Sequence, residues 1–126
     1  MKRELAALAV LITLISASIW NIAKINTFTE EIGIAISKSK AAAEQLNFKN
    51  SKKLIEESLE IWQENLAYTR VFIPQTQVDE TTQSFYQLLE DVNGEDILSL
   101  LPSYEAMQQR LESIRESETL SLGSVF

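Results

Sequence analysis

Residues 5–23 hold nineteen consecutive positions without a charge, directly after Met1-Lys2-Arg3-Glu4. At 1.5 Å per residue, a helix of that length covers about 28 Å, close to the ~30 Å hydrocarbon core of a bilayer. The run predicts a membrane address and divides the chain into an anchor and a headpiece. A buried helix of a soluble bundle is the competing explanation. It fits less well, because the remaining apolar surfaces are narrow amphipathic stripes that cannot cover such a helix on all sides.

Two fates are open to the apolar run. In one, Lys2 and Arg3 form the basic start of a signal peptide, and Ser16-Ala17-Ser18 is its small-residue cleavage site. In the other, the segment is an uncleaved anchor. Ile19, Trp20, Ile22 and Ala23 carry the apolar character past Ser18, and Trp20 stands where an interfacial aromatic belongs. Those residues favour the anchor. Lys2 and Arg3 precede the span and Lys24 follows it, before Glu30 and Glu31. The positive-inside bias therefore predicts a single-pass protein of the cell membrane, with a cytoplasmic N-terminus and an extracytoplasmic headpiece.

The composition narrows the chemistry. There is no Cys, which removes disulfides, thiol chemistry and lipidation at a cysteine, and no His, which removes the commonest general base and transition-metal ligand. Three Gly and two Pro in 126 residues, amid abundant Leu, Ala, Glu, Gln, Ile and Ser, describe a helical chain. The expected organisation is an anchor at residues 1–25, a headpiece at 26–119 and an apolar tail at 120–126.

Along the headpiece the apolar positions keep a helical period. Ile22, Ile25, Thr29, Ile32, Ile36, Ala43 and Leu46, with Ser39 between, predict that the first helix runs from about Glu4 to about Leu46. Asn50 or Ser51 is the expected N-cap of a second helix reaching Phe72, with Ile55, Leu59, Trp62, Leu66 and Thr69 inward and Leu54, Ile61, Tyr68 and Phe72 on a flanking apolar stripe. Pro74 ends it. Thr76-Gln77-Val78-Asp79 reads as a capping-box-like start for a third helix, whose core face is Val78, Thr82, Phe85, Leu88, Leu89 and Val92. Gly94 is its expected left-handed C-cap. A fourth helix follows from about Glu95 to Glu116, with Ile97, Leu100 or Leu101, Tyr104, Met107 or Gln108, Leu111 and Ile114 inward. Pro102 either kinks it or falls in the first turn of a helix starting at Ser99. The fold class is all-α: one transmembrane helix continuing into an antiparallel three- to four-helix up-down bundle.

The residues that carry chemistry elsewhere are thinly represented. Glu56, Glu57, Glu60 and Glu64 crowd the second helix, but without His or the Glu-x-x-His pattern of di-metal bundles they read as a solvated acidic face. No Gly-rich phosphate loop, serine nucleophile elbow or Asp-rich calcium loop is present in the sequence. Trp62 and Tyr104 read as core anchors before ligand-stacking residues. The chain is not expected to be an enzyme, and no catalytic residue, metal, cofactor or small-molecule substrate is indicated. A net charge of −7 argues against nucleic acid.

Two surfaces remain as candidates for partner binding. Lys38, Lys40, Lys49, Lys52 and Lys53 gather near the first helix–helix turn, whereas from Leu54 onward fourteen acids face three bases. These lysines either form a soluble turn facing the bundle's own acids or dock a charged partner. Leu120, Leu122, Val125 and Phe126 place apolar side chains at the end of the chain, where fraying polar residues are usual. They either cap the core or enter a partner groove.

The order of features is a basic N-terminus, a span ending in Trp20-Asn21-Ile22, Leu59-Glu60-Ile61-Trp62, Val78-Asp79 with Phe85-Tyr86, and a terminal Ser121-Leu122-Gly123-Ser124-Val125-Phe126. This order resembles domain of unknown function 4363, a family of small anchored proteins from spore-forming Gram-positive bacteria. The resemblance implies architecture and location but no activity. Members often carry a His shortly after the second helix, where this chain reads Ile73-Pro74-Gln75-Thr76, which argues against an essential acid–base or metal role there. The function expected is that of a membrane-anchored accessory or structural protein with a protein partner in the membrane. An extracytoplasmic ligand-sensing bundle or a secreted bundle after cleavage is the alternative. A pilin-like subunit fits poorly, because no Gly precedes the apolar run and Glu4 stands before it.

Overall fold

In the computed structural model the backbone is described for residues 1–125 and the side chains for residues 1–116. Among the described residues the chain forms five helices: α1 Lys2–Glu44, α2 Phe48–Glu64, α3 Leu66–Phe72, α4 Gln75–Asn93 and α5 Ile97–Val125. Helices α1, α2, α4 and α5 pack as a ring in which each contacts the next and α5 closes back onto α1. Short connections make the neighbours antiparallel, so the all-α bundle expected from the periodicity is the fold.

The 43 residues of α1 form one uninterrupted helix, about 64 Å long. Its two halves have different surroundings. From Asn21 onward it buries a seam of Asn21, Ile25, Phe28, Thr29, Ile32, Ile36, Ser39, Ala42 and Ala43. These positions recur at three- and four-residue steps, which keeps them on one face. Residues 2–20 pack against almost nothing in the bundle. Only 6% of the most apolar eighteen-residue window of α1 is buried, so the bundle does not cover this segment. By length and composition, α1 can cross a membrane.

The core is filled by large side chains from all four long helices. Trp62 of α2, Phe85 of α4 and Tyr104 of α5 are fully buried, beside Ile25, Ile32 and Ile36 of α1. Trp62 lies 6.3 Å from Phe28 and 6.0 Å from Phe85, ring centroid to centroid. Its indole N–H donates to the Thr82 hydroxyl at 2.9 Å, so burial leaves no indole donor orphaned. Trp62 and Tyr104 are core anchors, as their spacing predicted.

Several local expectations are corrected. The α1 seam ends at Ala43, and Leu46 is 67% exposed. Leu46 adopts φ 61° and donates its amide to Ala43, while Asn47 donates to Ala42. That pattern is a Schellman motif with leucine at the left-handed position normally held by glycine. The cap of α2 is Asn47, whose side chain accepts from the Asn50 amide at 3.3 Å, rather than Asn50 or Ser51.

The expected second helix is divided at Asn65. The Asn65 side-chain amide donates to the Ile61 carbonyl at 2.8 Å, competing with the backbone ladder and separating α2 from α3. Phe72, placed on its inner flank, is nearly half exposed. Pro74 closes α3 as anticipated, with Ile73 extended at φ −109° and ψ 139°. It also serves as N-cap of α4, which begins without a side-chain cap, so Thr76 opens no capping box.

At the end of α4, Gly94 is right-handed at φ −74° and Glu95 takes the left-handed position at φ 52°. Asp96 then caps α5, its carboxylate accepting from the Leu98 amide at 3.1 Å and the Ser99 hydroxyl at 3.0 Å. Helix α5 starts at Ile97 and continues through Pro102.

Candidate functional site

The molecule presents three surfaces of different character, at the two ends of the headpiece and along its side. At the end far from the apolar half of α1, the α1–α2 turn displays Lys49, Lys52 and Lys53, all exposed around a shallow depression shared with Asn47, Asn50 and Glu56. The structure brings these three together but separates Lys38, which lines a depression facing α5. Among the described residues, none of the three lysines makes an ion pair; the two bridges are Arg110–Glu80 at 2.7 Å and Arg115–Glu112 at 3.9 Å. They also crowd the first turns of α2, where no acidic residue offsets the helix dipole. Positive charge at a helix N-terminus is unfavourable. These lysines therefore oppose the dipole of α2 and, among the described residues, form no ion pair with the bundle's acids.

Beneath them lies a buried polar cluster that the apolar pattern did not indicate. The hydroxyl of Ser39 donates to the Ser51 carbonyl at 2.8 Å. It also lies 2.6 Å from the Tyr104 hydroxyl, which is 2.5 Å from that of Ser51. All three residues are fully buried and tie α1, α2 and α5 at one height. Hydroxyls that satisfy one another cost little in place and much when a partner is lost. The cluster fixes register and supports the lysine-bearing turn from below.

Along the side, α1 and α5 leave an open depression at Gly33, where an added Cβ would meet nothing within 4 Å. Ile34 and Leu111 form its apolar part, with Glu30, Lys38, Glu112 and Arg115 around them. Charges of both signs surround it, so the depression selects no charged ligand. Glu56, Glu57, Glu60 and Glu64 are spread over the exposed face of α2.

At the other end, Tyr68 of α3 reaches the middle of α1. Asn21 is buried and accepts a hydrogen bond from the Tyr68 hydroxyl. The Tyr68 ring stands edge-on to Trp20 at 6.4 Å and lies 4.9 Å from Phe72. The Lys24 ammonium sits 4.0 Å from the Tyr68 ring centre and 5.5 Å from that of Trp20. Each such cation–π contact is worth about 0.5–1 kcal/mol at an exposed site. Sequence reading identified Trp20 but not the grouping, because Tyr68 and Phe72 lie almost fifty residues away in the chain. The tail residues Leu122, Val125 and Phe126 lie outside the described side chains.

None of the curated proteins and none of the solved structures compared matches the chain. A protein family does: the match covers residues 19–125, beginning one residue before Trp20 and taking in the whole of the bundle. Residues 1–18 lie outside it. The headpiece, rather than the apolar start of α1, is therefore the unit that the family defines, and the chain belongs to the family described as domain of unknown function DUF4363.

Proposed function

We propose that this protein is a single-pass membrane-anchored accessory or structural subunit, acting through protein–protein contacts made by an extracytoplasmic headpiece. The observation that carries this reading is the composition of α1. One helix supplies both an apolar segment exposed on every side and the first member of the bundle. A tether would need only the first part. Continuity makes the anchor a rigid support that sets the height and orientation of whatever the headpiece presents.

The contact face on this reading is the lysine turn. Lys49, Lys52 and Lys53 lie at the end of the headpiece farthest from the apolar half of α1, about 20–30 Å beyond Ala23 along the helix axis. At that height they are beyond the reach of lipid headgroups, given a Debye length of about 8 Å at physiological ionic strength. An acidic surface on a membrane protein partner fits them. No catalytic step is assigned, and the interior favours none: Trp62, Phe85 and Tyr104 fill the core, so a ligand would have to displace fully buried aromatics.

The reading is tested on full-length protein extracted from membranes in mild detergent. Co-purification of a membrane protein in fixed stoichiometry, abolished when Lys49, Lys52 and Lys53 are replaced by Glu, supports it. Purification alone, with the triple variant behaving identically, overturns it. Sidedness follows from Lys52→Cys, since the native chain has no other thiol. Labelling by a membrane-impermeant maleimide in intact cells is the expected result.

A further inference from the structure

The base of the headpiece carries an apolar surface that the fold leaves uncovered. Val71 is 73% exposed and Phe72 48%, both at the end of α3, and Trp20 on α1 is 63% exposed. Arg70 and Lys24 flank them. Within residues 65–78 Arg70 is the only charge, and within residues 5–29 Lys24 is the only one. These two segments thus bring two cations to the base, while Glu31 lines the depression beside Trp20 and Lys24, and Asp79 stands one turn into α4.

The antiparallel register gives the height of this surface. Ser39 meets Ser51, Phe28 meets Trp62 and Asn21 meets Tyr68, so each step down α1 is matched by a step along α2 and α3. Three or four steps further, Val71 and Phe72 come level with Ser18 and Ala17. Those residues belong to the apolar run itself. If α1 crosses a bilayer, the end of α3 lies at the level of the span.

We propose that the base of the headpiece is a second membrane contact, in which Val71 and Phe72 enter the headgroup layer and Arg70 and Lys24 pair with the phosphates of an anionic phospholipid surface. This rests on the reading of α1 as a membrane span. An apolar surface continuous with a span, ringed by Trp and Tyr and flanked by cations, matches the bilayer interface, where amphipathic aromatics and long basic side chains settle. The headpiece then sits on the bilayer as a docked bundle rather than standing clear of it on a stalk. The Trp20–Tyr68–Phe72 cluster, with the buried Asn21–Tyr68 hydrogen bond above it, holds α3 at that height.

The absence of cysteine allows a direct test with single-cysteine variants of the full chain in vesicles of phosphatidylcholine and phosphatidylglycerol. An environment-sensitive fluorophore is placed at Val71→Cys, at Leu98→Cys and at Leu11→Cys. Leu98 is 79% exposed, much like Val71, but lies at the opposite end of the headpiece. Nitroxides carried near the lipid headgroup should quench the Val71 label several-fold more than the Leu98 label, and deep nitroxides should quench the Leu11 label. A deeply quenched Leu11 with Val71 indistinguishable from Leu98 overturns the docked base and leaves the span standing. An unquenched Leu11 overturns both. If Val71 is shielded from aqueous iodide but untouched by either nitroxide, protein covers the surface and the lipid contact is overturned.

Discussion

The two halves of α1 share one continuous helical backbone, yet have opposite surroundings. In residues 2–20 the large side chains Leu5, Leu8, Leu11, Ile12, Leu14 and Ile19 point outward on all sides and are exposed. In residues 21–44 Ile25, Phe28, Ile32, Ile36, Ala42 and Ala43 keep to one seam and are buried, while Glu30, Glu31, Ile34, Lys38 and Glu44 occupy the outer side. Pattern, and not hydrophobicity alone, decides which half the bundle can cover. A stripe is matched by two neighbouring helices, α2 and α5, whereas a helix apolar all round needs a solvent that is apolar all round.

This contrast can be broken most sharply by truncating one apolar residue in each half. Ile32→Ala leaves a hole in a packed core and should cost the headpiece about 2–5 kcal/mol, read as a lowered thermal midpoint by near-ultraviolet circular dichroism. Leu11→Ala should leave that midpoint unchanged. A smaller effect is expected from the polar part of the seam. Tyr104→Phe removes one hydroxyl from the Ser39–Ser51–Tyr104 cluster and should destabilise the headpiece by about 1–3 kcal/mol in urea titration, because the serines lose a buried partner. The smallest effect has the opposite sign. Leu46→Gly relieves the left-handed strain at the end of the seam and should stabilise by about 1 kcal/mol in the same titration.

Much of this arrangement was legible in the sequence because it depends on periodicity. The faces holding Ile25, Ile32 and Ile36, Val78, Phe85 and Leu88, or Leu100, Met107 and Ile114 repeat at helical spacing and are buried. Pro74 acts through its own covalent geometry and ends α3 where expected. The helix ends were harder, because several residues compete for each special position. Gly94 has the freedom to be left-handed, but the chain turns one residue later, at Glu95, and Leu46 does the same work without a glycine nearby. At Asn65 a side-chain hydrogen bond interrupts a pattern that otherwise continues.

The candidate surfaces divide along the same line. Lys49, Lys52 and Lys53 adjoin in the chain and remain together in space. The hydroxyl cluster unites Ser39, Ser51 and Tyr104, and the aromatic base unites Trp20, Tyr68 and Phe72. Both need the register between helices, which no single stripe contains. Ser51 illustrates the loss: alone it reads as a cap, and only the position of α5 reveals it as the partner of a buried tyrosine.

The central claim is that the exposed half and the buried half of α1 remain one helix in the working protein. Intact-mass spectrometry of the protein from its own cells, after separation of membranes by alkaline carbonate, tests this most directly. The account predicts a chain that retains residues 1–18 and stays with the membrane pellet. A mature chain beginning at Ile19 and released into the soluble fraction would contradict it.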